Sequence, residues 1–267
     1  MTKSALIQEI KNKKSFLCVG LDPDINKIPS SFLALDNPIL AFNKAIIDAT
    51  KAYAVAYKLN IAFYEALGPI GWETLEETRA YIPEECFTIA DAKRGDIGNT
   101  AAMYAKTFFE TYPFDSVTVA PYMGKDSVSP FLDFKNKWTI LLGLTSNVGS
   151  QDFQLLATEN GPLYQQVLKT ASTWGSTENL MYVIGATQGE LLKEIRKIIP
   201  DHFLLIPGVG AQGGTVKEVA EATLNDDYGI LINVSRGIIY AGQGEDFASQ
   251  VTKAAEKFHG EMQEFFE

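Results

Sequence analysis

Eight short runs of apolar and β-branched residues recur along the chain, and helix-like patterns lie between them. This alternation is typical of repeated βα units built around a parallel sheet. Eight such units over about 250 residues are most simply closed into a (β/α)8 TIM barrel, whose active-site residues follow the strand carboxyl ends. An open doubly wound sheet is the alternative, although the first strand–helix turn lacks Gly-x-Gly-x-x-Gly. The predicted strands are 16–21, 54–61, 87–92, 116–120, 138–144, 181–184, 203–207 and 229–234.

The segments between the strands carry apolar residues at helical spacing. Asn37 and Pro38 suit an N-cap and a first helical residue, and Ile39, Phe42 and Ile46 then repeat at helical intervals. A helix over 126–134 is weaker, because Pro130 interrupts it. We predict a single barrel domain over residues 1–267 with an N-terminal helix. The other predicted helices are 71–81, 99–112, 162–174, 190–199, 215–222 and 247–266.

Composition excludes several classes of function. The net charge of -10 argues against a general nucleic-acid binder, which needs excess Lys and Arg. The chain lacks a signal-like apolar segment near its start and any run of about 18 apolar residues, so we expect a cytoplasmic protein with no membrane contact. Cys18 and Cys86 lie in apolar runs and are expected to be buried thiols. His202 and His259 are far from any carboxylate cluster, so no metal site is predicted.

Polar residues that a packed core would not tolerate occur at four strand ends. Asp91 and Lys93 are two residues apart at the end of the third strand, so both can point into the barrel mouth from one face. Lys58 comes from the neighbouring strand, and a buried lysine kept charged by carboxylates is a suitable proton donor. A purely structural ion-pair network is the competing interpretation. The residues at these ends are Asp22, Lys58, Asn60, Asp91, Lys93 and Arg236.

Asp96 follows Lys93 by three residues and precedes a predicted helix. It is either an ordinary cap or a functional acid, and the spacing alone does not separate the two. Asp96 and Thr100 are four residues apart and would share one helical face at a protein or ligand surface.

A glycine-rich segment, 206–215, joins the seventh strand to its helix, and Arg236 ends the eighth strand. Glycines let backbone amides approach an anion, and an arginine fork suits phosphate oxygens. Loops after strands seven and eight are the usual phosphate site of such barrels, so we favour phosphate binding here over a merely tight turn.

Six motifs, taken in order, resemble the orotidine 5′-monophosphate decarboxylase family, particularly its longer bacterial branch. They extend over nearly the whole barrel, and it is their order that makes the resemblance specific. The motifs are Gly20-Leu-Asp22-Pro-Asp24, Lys58-Leu-Asn60-Ile-Ala-Phe-Tyr-Glu65, Asp91-Ala-Lys93-Arg-Gly-Asp96-Ile97-Gly-Asn-Thr100, Leu144-Thr-Ser146-Asn147, Pro207-Gly208-Val209-Gly-Ala-Gln212-Gly-Gly214 and Asn233-Val-Ser-Arg236-Gly-Ile-Ile-Tyr240.

The resemblance implies an enzyme that converts orotidine 5′-monophosphate to uridine 5′-monophosphate and carbon dioxide without a cofactor. Lys93 would protonate pyrimidine C6, and Lys58, Asp91 and Asp96 would complete an alternating charged array. Asp96 and Thr100 would belong to the active site of the other subunit, which implies a homodimer with shared sites.

The resemblance also implies the substrate contacts. Asp22 and Lys58 would contact the ribose, Ser146 the pyrimidine, and Gln212 with Arg236 the 5′-phosphate beside the Gly208 loop. Ile97 and Val209 would form the apolar surface where carbon dioxide leaves. The chain departs from the family pattern at Leu144, Val148 and Ala120, which leaves the charged array intact but affects pyrimidine contacts and loop closure.

Two other functions stay open. The same barrel and phosphate site could serve a sugar-phosphate decarboxylase or epimerase, enzymes that often need a divalent metal. A barrel that binds nucleotides without turning them over is the second alternative. Activity after chelation would distinguish a cofactor-free decarboxylase from the metal-dependent class. Loss of turnover in Lys93→Ala would distinguish it from a barrel that only binds nucleotides.

Overall fold

A computed structural model of the chain describes residues 1–186, 189–210 and 214–266. Eight parallel strands form a closed barrel in which each strand pairs with the next along the chain. The last strand pairs with the first, with Leu17 opposite Ile232, so the barrel has no open edge. The predicted (β/α)8 barrel is therefore confirmed, and the open doubly wound sheet is wrong. The barrel strands are β1 Leu17–Leu21, β2 Ala54–Asn60, β3 Phe87–Arg94, β4 Ser116–Val119, β5 Trp138–Leu144, β6 Leu180–Ile184, β7 Leu204–Pro207 and β8 Ile230–Val234.

Helices surround the barrel where the apolar spacing predicted them. Asn37 caps its helix as expected, because its side chain accepts a hydrogen bond from the amide of Leu40 at 3.1 Å. Within the described ranges, no helix is long and apolar enough to cross a membrane. The α-helices are α1 Lys3–Lys13, α2 Ser30–Leu33, α3 Pro38–Thr50, α4 Ala62–Glu65, α5 Pro69–Tyr81, α6 Gly98–Lys106, α7 Ser129–Leu132, α8 Ser150–Phe153, α9 Leu163–Ala171, α10 Gly189–Ile198, α11 Val216–Thr223, α12 Arg236–Ile239 and α13 Phe247–Gln263.

Two helical predictions need correction. The helix predicted over 99–112 is α-helical only to Lys106 and continues as a π-helical turn, Thr107–Thr111. The segment 126–134 forms a short 3-10 turn, Lys125–Ser127, and then α7, with Pro130 in the first turn of α7. Proline suits that position because its missing N–H has no intrahelical partner there, so Pro130 begins a helix instead of interrupting one.

The barrel interior is closed at its amino-terminal end by α1. Leu6 and Ile10 of α1 are fully buried and pack in one cluster with Cys18, Phe87 and Ile89. Because side chains alternate along a strand, Phe87 and Ile89 face the same way as Asp91 at the other end of β3. Apolar packing thus fills the lower barrel and leaves the charged residues at its mouth. Both cysteines, Cys18 and Cys86, are buried and free, as expected.

Candidate active site

Lys58 lies at the centre of a buried charged cluster at the barrel mouth. It is only 5% exposed, and its Nζ donates to Asp91 Oδ2 at 3.1 Å and to Asp22 Oδ1 at 3.3 Å. Burial alone would lower the pKa of Lys58, but the two carboxylates more than offset this and raise the pKa above the usual lysine value. Lys58 therefore stays protonated and bridges the ends of β1 and β3.

Asp91 has three donors around its carboxylate. Besides Lys58, its Oδ1 accepts from Lys93 Nζ at 2.6 Å and from Thr118 Oγ1 at 3.0 Å. Burial on its own would raise the pKa of Asp91, but the charges and hydrogen bonds of Lys58 and Lys93 hold it well below the usual range. The carboxylate is therefore ionised across ordinary pH.

Lys93 joins this cluster through an irregularity in β3. Ala90 pairs with Val117 and Arg94 pairs with Val119, so the segment between them bulges from the ladder. Lys93 itself has a φ of 48°, in the left-handed region. Its side chain is 50% exposed although Nζ contacts Asp91, so a ligand in the mouth can reach the ammonium group. Asp91 and Lys93 do meet as predicted, but a bulge intervenes where regular strand alternation was expected.

A cavity of 530 Å³ opens beside the charged cluster, between the loops that follow β7 and β8. Gly208 and Gly210 have φ values of 96° and 80°, which glycine adopts without strain. Arg236, the first residue of α12, lines the same cavity, and none of the carboxylates of residues 1–186, 189–210 and 214–266 pairs with it. An arginine without an acidic partner beside open glycine backbone suits an anionic group.

The loop after β8 lies close to β1. A Cβ added to Gly20 would come within 2.8 Å of the Ser235 Cβ, so any larger residue at position 20 would push this loop away. Asp22, two residues further along, lines the cavity together with Ser146 and Val209. The same cavity therefore extends from the residues beside Arg236 to the carboxylate that contacts Lys58.

The predicted site residues fall into two groups. Asp22, Lys58, Asp91 and Lys93 form one chain of contacts, and Asp22, Ser146, Gly208, Val209 and Arg236 line the cavity. Asp96, Ile97 and Thr100 do not line it. Gln212, the other predicted phosphate residue, lies outside the described residues.

Asp96 stands apart from the cluster. Its Oδ1 accepts from the amide of Ile97 at 2.7 Å, and α6 begins only at Gly98. Asp96 therefore lies in the loop before the helix, and the expectation that it shares a helical face with Thr100 was wrong. Ile97 is 49% exposed, and Thr100 is exposed on the first turn of α6.

Two residues of this region were not singled out from the sequence. Thr118 is fully buried in β4 and bonds to both Asp91 and the Lys93 amide. Lys257 of α13 lines the same cavity as Arg236. A threonine within a β-branched strand and a lysine on an amphipathic helix are both ordinary in sequence, so neither carried a signal.

The chain is similar over its whole length to known proteins. The model of the Orotidine 5′-phosphate decarboxylase / HUMPS family matches residues 15–251. A protein of Flavobacterium johnsoniae named orotidine 5′-phosphate decarboxylase is 58% identical over 270 residues, covering 100% of this chain and 99% of the relative. The protein of that name from Phocaeicola vulgatus is 56% identical, with 98% of each chain covered. The solved structure of Leishmania donovani OMP decarboxylase superposes with a TM-score of 0.86 at 35% identity, covering 100% of this chain and 99% of that one.

Proposed function

The chain belongs to the Orotidine 5′-phosphate decarboxylase / HUMPS family, and on that premise we propose that it is a carboxy-lyase that converts orotidine 5′-monophosphate to uridine 5′-monophosphate and carbon dioxide, a step of pyrimidine biosynthesis. The observation that carries the proposal is the Asp22–Lys58–Asp91–Lys93 contact chain beside an anion-suited cavity. The cytoplasmic location expected from the sequence stays a prediction.

In the proposed reaction the bond between pyrimidine C6 and the carboxylate carbon breaks, and its electron pair stays on C6. A proton moves from Lys93 Nζ to C6 as neutral carbon dioxide leaves. Asp91, ionised and held by three donors, would lie near the substrate carboxylate. The Lys93 ammonium would then stabilise the developing negative charge at C6 more than it stabilises the starting anion. No cofactor takes part.

The cavity suggests how the nucleotide would lie. Asp22 and Lys58 would bind ribose hydroxyls, and Arg236, the Gly208 loop and Gln212 would bind the 5′-phosphate. Ser146 would contact the pyrimidine, and Val209 with Ile97 would give an apolar surface for carbon dioxide. In this pose a single nucleotide would reach from the charged cluster to Arg236.

The decisive assay follows the fall in orotate absorbance when the protein meets orotidine 5′-monophosphate after exhaustive chelation. We expect full turnover without added metal, loss of turnover in Lys93→Ala, and normal turnover in Lys135→Ala, which removes an exposed lysine far from the cluster. Activity that disappears on chelation and returns with magnesium would favour the metal-dependent sugar-phosphate class. A wild-type protein that binds the nucleotide without turnover would favour a binding role.

We further propose that the enzyme works as a homodimer whose sites are shared. Asp96 has no cationic partner among the described residues, although it follows Lys93 by only three positions. Large apolar side chains are exposed in the loops after three consecutive strands, at Ile97, Tyr122 and Val148. An apolar rim of this kind favours burial against a second copy.

Mixing two inactive variants tests the shared site. In a heterodimer of Lys93→Ala and Asp96→Ala subunits, one of the two sites would contain both intact residues. Equal mixing with free exchange should therefore restore about a quarter of wild-type activity, since half of the dimers are mixed. Subunit exchange that is demonstrated by labelled chains but restores no activity would remove the shared-site proposal.

A further inference from the structure

We propose that Thr118 is a positioning residue that sets the place of both Lys93 and Asp91, an inference that rests on the proposed decarboxylase function. Thr118 is fully buried in β4, and its side chain lies between the backbone of Lys93 and the carboxylate of Asp91. Its hydroxyl does not need to touch the substrate for this role. It acts through the two charged groups that do.

The hydroxyl group of Thr118 makes two hydrogen bonds of fixed direction. Its oxygen accepts from the Lys93 amide at 2.9 Å, and its proton goes to Asp91 Oδ1 at 3.0 Å. The amide can only donate and the ionised carboxylate can only accept, so a single hydroxyl satisfies both. Valine, which matches the shape of threonine, has neither a donor nor an acceptor and could satisfy neither partner.

The Lys93 backbone needs this support because β3 bulges at that point. The ladder with β4 is interrupted between Ala90 and Arg94, and Lys93 adopts a φ of 48° that a residue with a Cβ rarely takes. The Thr118 hydroxyl gives the displaced amide a partner within the interrupted stretch. A strained conformation persists only where the surroundings hold it, and Thr118 is part of what holds this one.

The same contacts close a ring that fixes the Lys93 ammonium group. Lys93 Nζ bonds to Asp91 Oδ1 at 2.6 Å, and this oxygen is the one that Thr118 also holds. Lys93 is thereby fixed at its amide by Thr118 directly and at its Nζ through Asp91. Without the ring, a half-exposed lysine would sample many rotamers, and few of them would place Nζ against C6.

Thr118→Val removes the hydroxyl but keeps the shape and the β-branching of the side chain. We expect kcat to fall about 10-fold to 100-fold, since small misplacements of reacting groups carry penalties of that size. KM for orotidine 5′-monophosphate and the affinity for uridine 5′-monophosphate should change less than about threefold, because the ribose and phosphate contacts are untouched. Thr118→Ser, which keeps the hydroxyl, should restore most of kcat.

Thr139→Val is the matched control. Thr139 is a fully buried threonine of the adjacent strand β5, paired in register with Val117, and its hydroxyl has no hydrogen-bond partner among the described residues. The substitution is chemically identical to Thr118→Val and occurs at an equally buried position, on the other face of the sheet. Thr139→Val should leave kcat and KM unchanged. Comparing the two variants therefore separates the loss of the Thr118 hydrogen bonds from any general effect of removing a buried hydroxyl.

Hydrogen–deuterium exchange gives a readout that is independent of turnover. In Thr118→Val the Lys93 amide, followed in a peptide spanning 91–96, should exchange at least about tenfold faster because it loses its hydrogen-bond partner, while in Thr139→Val it should exchange as in the wild type. If the wild type is active and Thr118→Val has the same kcat, the inference is overturned. It is also overturned if Thr139→Val loses as much kcat as Thr118→Val. Faster exchange in Thr118→Val with an inactive wild type would instead refute the proposed function and keep the positioning contact.

Discussion

Replacing Lys58 with methionine tests the physical basis of the charged cluster most directly. Methionine keeps much of the length and apolar stem of lysine but removes the ammonium group. The wild-type Nζ lies 3.1 Å from Asp91 Oδ2 and 3.3 Å from Asp22 Oδ1. The variant therefore leaves two carboxylates near each other, and both lose a cationic partner.

The expected loss follows from the burial of these groups. Removing one partner of a buried ion pair typically costs about 3–5 kcal/mol, because a charge stays buried without compensation. Asp91 still keeps Lys93 and Thr118, and the Asp22 side chain is partly open to solvent. We therefore expect Lys58→Met to lower the free energy of unfolding by about 2–4 kcal/mol near neutral pH.

The loss should also depend on pH in a defined direction. The pKa of Asp91 is depressed in the folded protein, so its ion pairs contribute stability above the unfolded carboxylate pKa of about 4 and lose it as pH falls further. In Lys58→Met the Asp91 pKa moves upward, so the variant gains less stability from that ionisation. The difference between wild type and variant should therefore be largest at about pH 7 and clearly smaller at about pH 2.5, between the unfolded and the folded pKa of Asp91.

Urea unfolding followed by tryptophan fluorescence measures this difference, with all proteins at one fixed concentration because the stability of the proposed dimer would depend on concentration. Lys51→Met is the control: Lys51 pairs with Asp48 at 2.8 Å on the surface, where water screens the pair, so the variant should unfold almost like the wild type. A Lys58→Met loss below about 1 kcal/mol, or one that is the same at both pH values, would refute the reasoning.

Two further predictions concern residues remote from the reacting atoms. Lys257→Gln should raise KM for orotidine 5′-monophosphate about threefold to tenfold with kcat unchanged, because the cation lines the same cavity as Arg236 and would act equally on bound substrate and transition state. Lys253→Gln, which changes an exposed lysine of the same helix, should change neither kcat nor KM. An equal effect of both variants would contradict a contact between Lys257 and the phosphate. Arg196→Met should lower the free energy of unfolding by about 3–5 kcal/mol, measured with urea, while activity per folded molecule stays normal, since a partly buried guanidinium is lost together with its charge-assisted hydrogen bonds. The bonds of Arg196 go to the carbonyl oxygens of Thr223, Ile199, Pro200, His202 and Gly229.

Element positions were predictable because burial controls them. The eight barrel strands begin and end within two residues of the predicted ranges, since apolar runs between turn residues can be buried in few other ways. Pro130 and the end of α6 were misjudged for a local reason. Whether proline begins or breaks a helix, and whether a helix continues as a π turn, depends on hydrogen-bond partners that spacing does not specify.

The charged residues at the barrel mouth were predictable for the opposite reason. Lys58 and Asp91 are groups that a core excludes unless they are paired, so their presence at strand ends indicated a site. Thr118 and Lys257 were missed because their residue types are unremarkable where they occur. A buried threonine is a good strand former whether or not its hydroxyl is used, and the neighbouring Thr139 shows one that makes no bond within the described part of the chain.

The bulge in β3 explains why residue spacing predicted the contact between Asp91 and Lys93 correctly but the backbone conformation around it wrongly. Strand alternation predicted that Asp91 and Lys93 share a face, and helical spacing predicted that Asp96 and Thr100 share another. The chain instead leaves the ladder after Ala90, turns through a left-handed Lys93, and reaches α6 only at Gly98. This places Lys93 Nζ against Asp91 while Asp96 stays outside the cluster. The irregular backbone thus explains why Lys93 contacts Asp91 within the chain, whereas Asp96, which the proposed shared site assigns to a second subunit, makes no contact with the cluster.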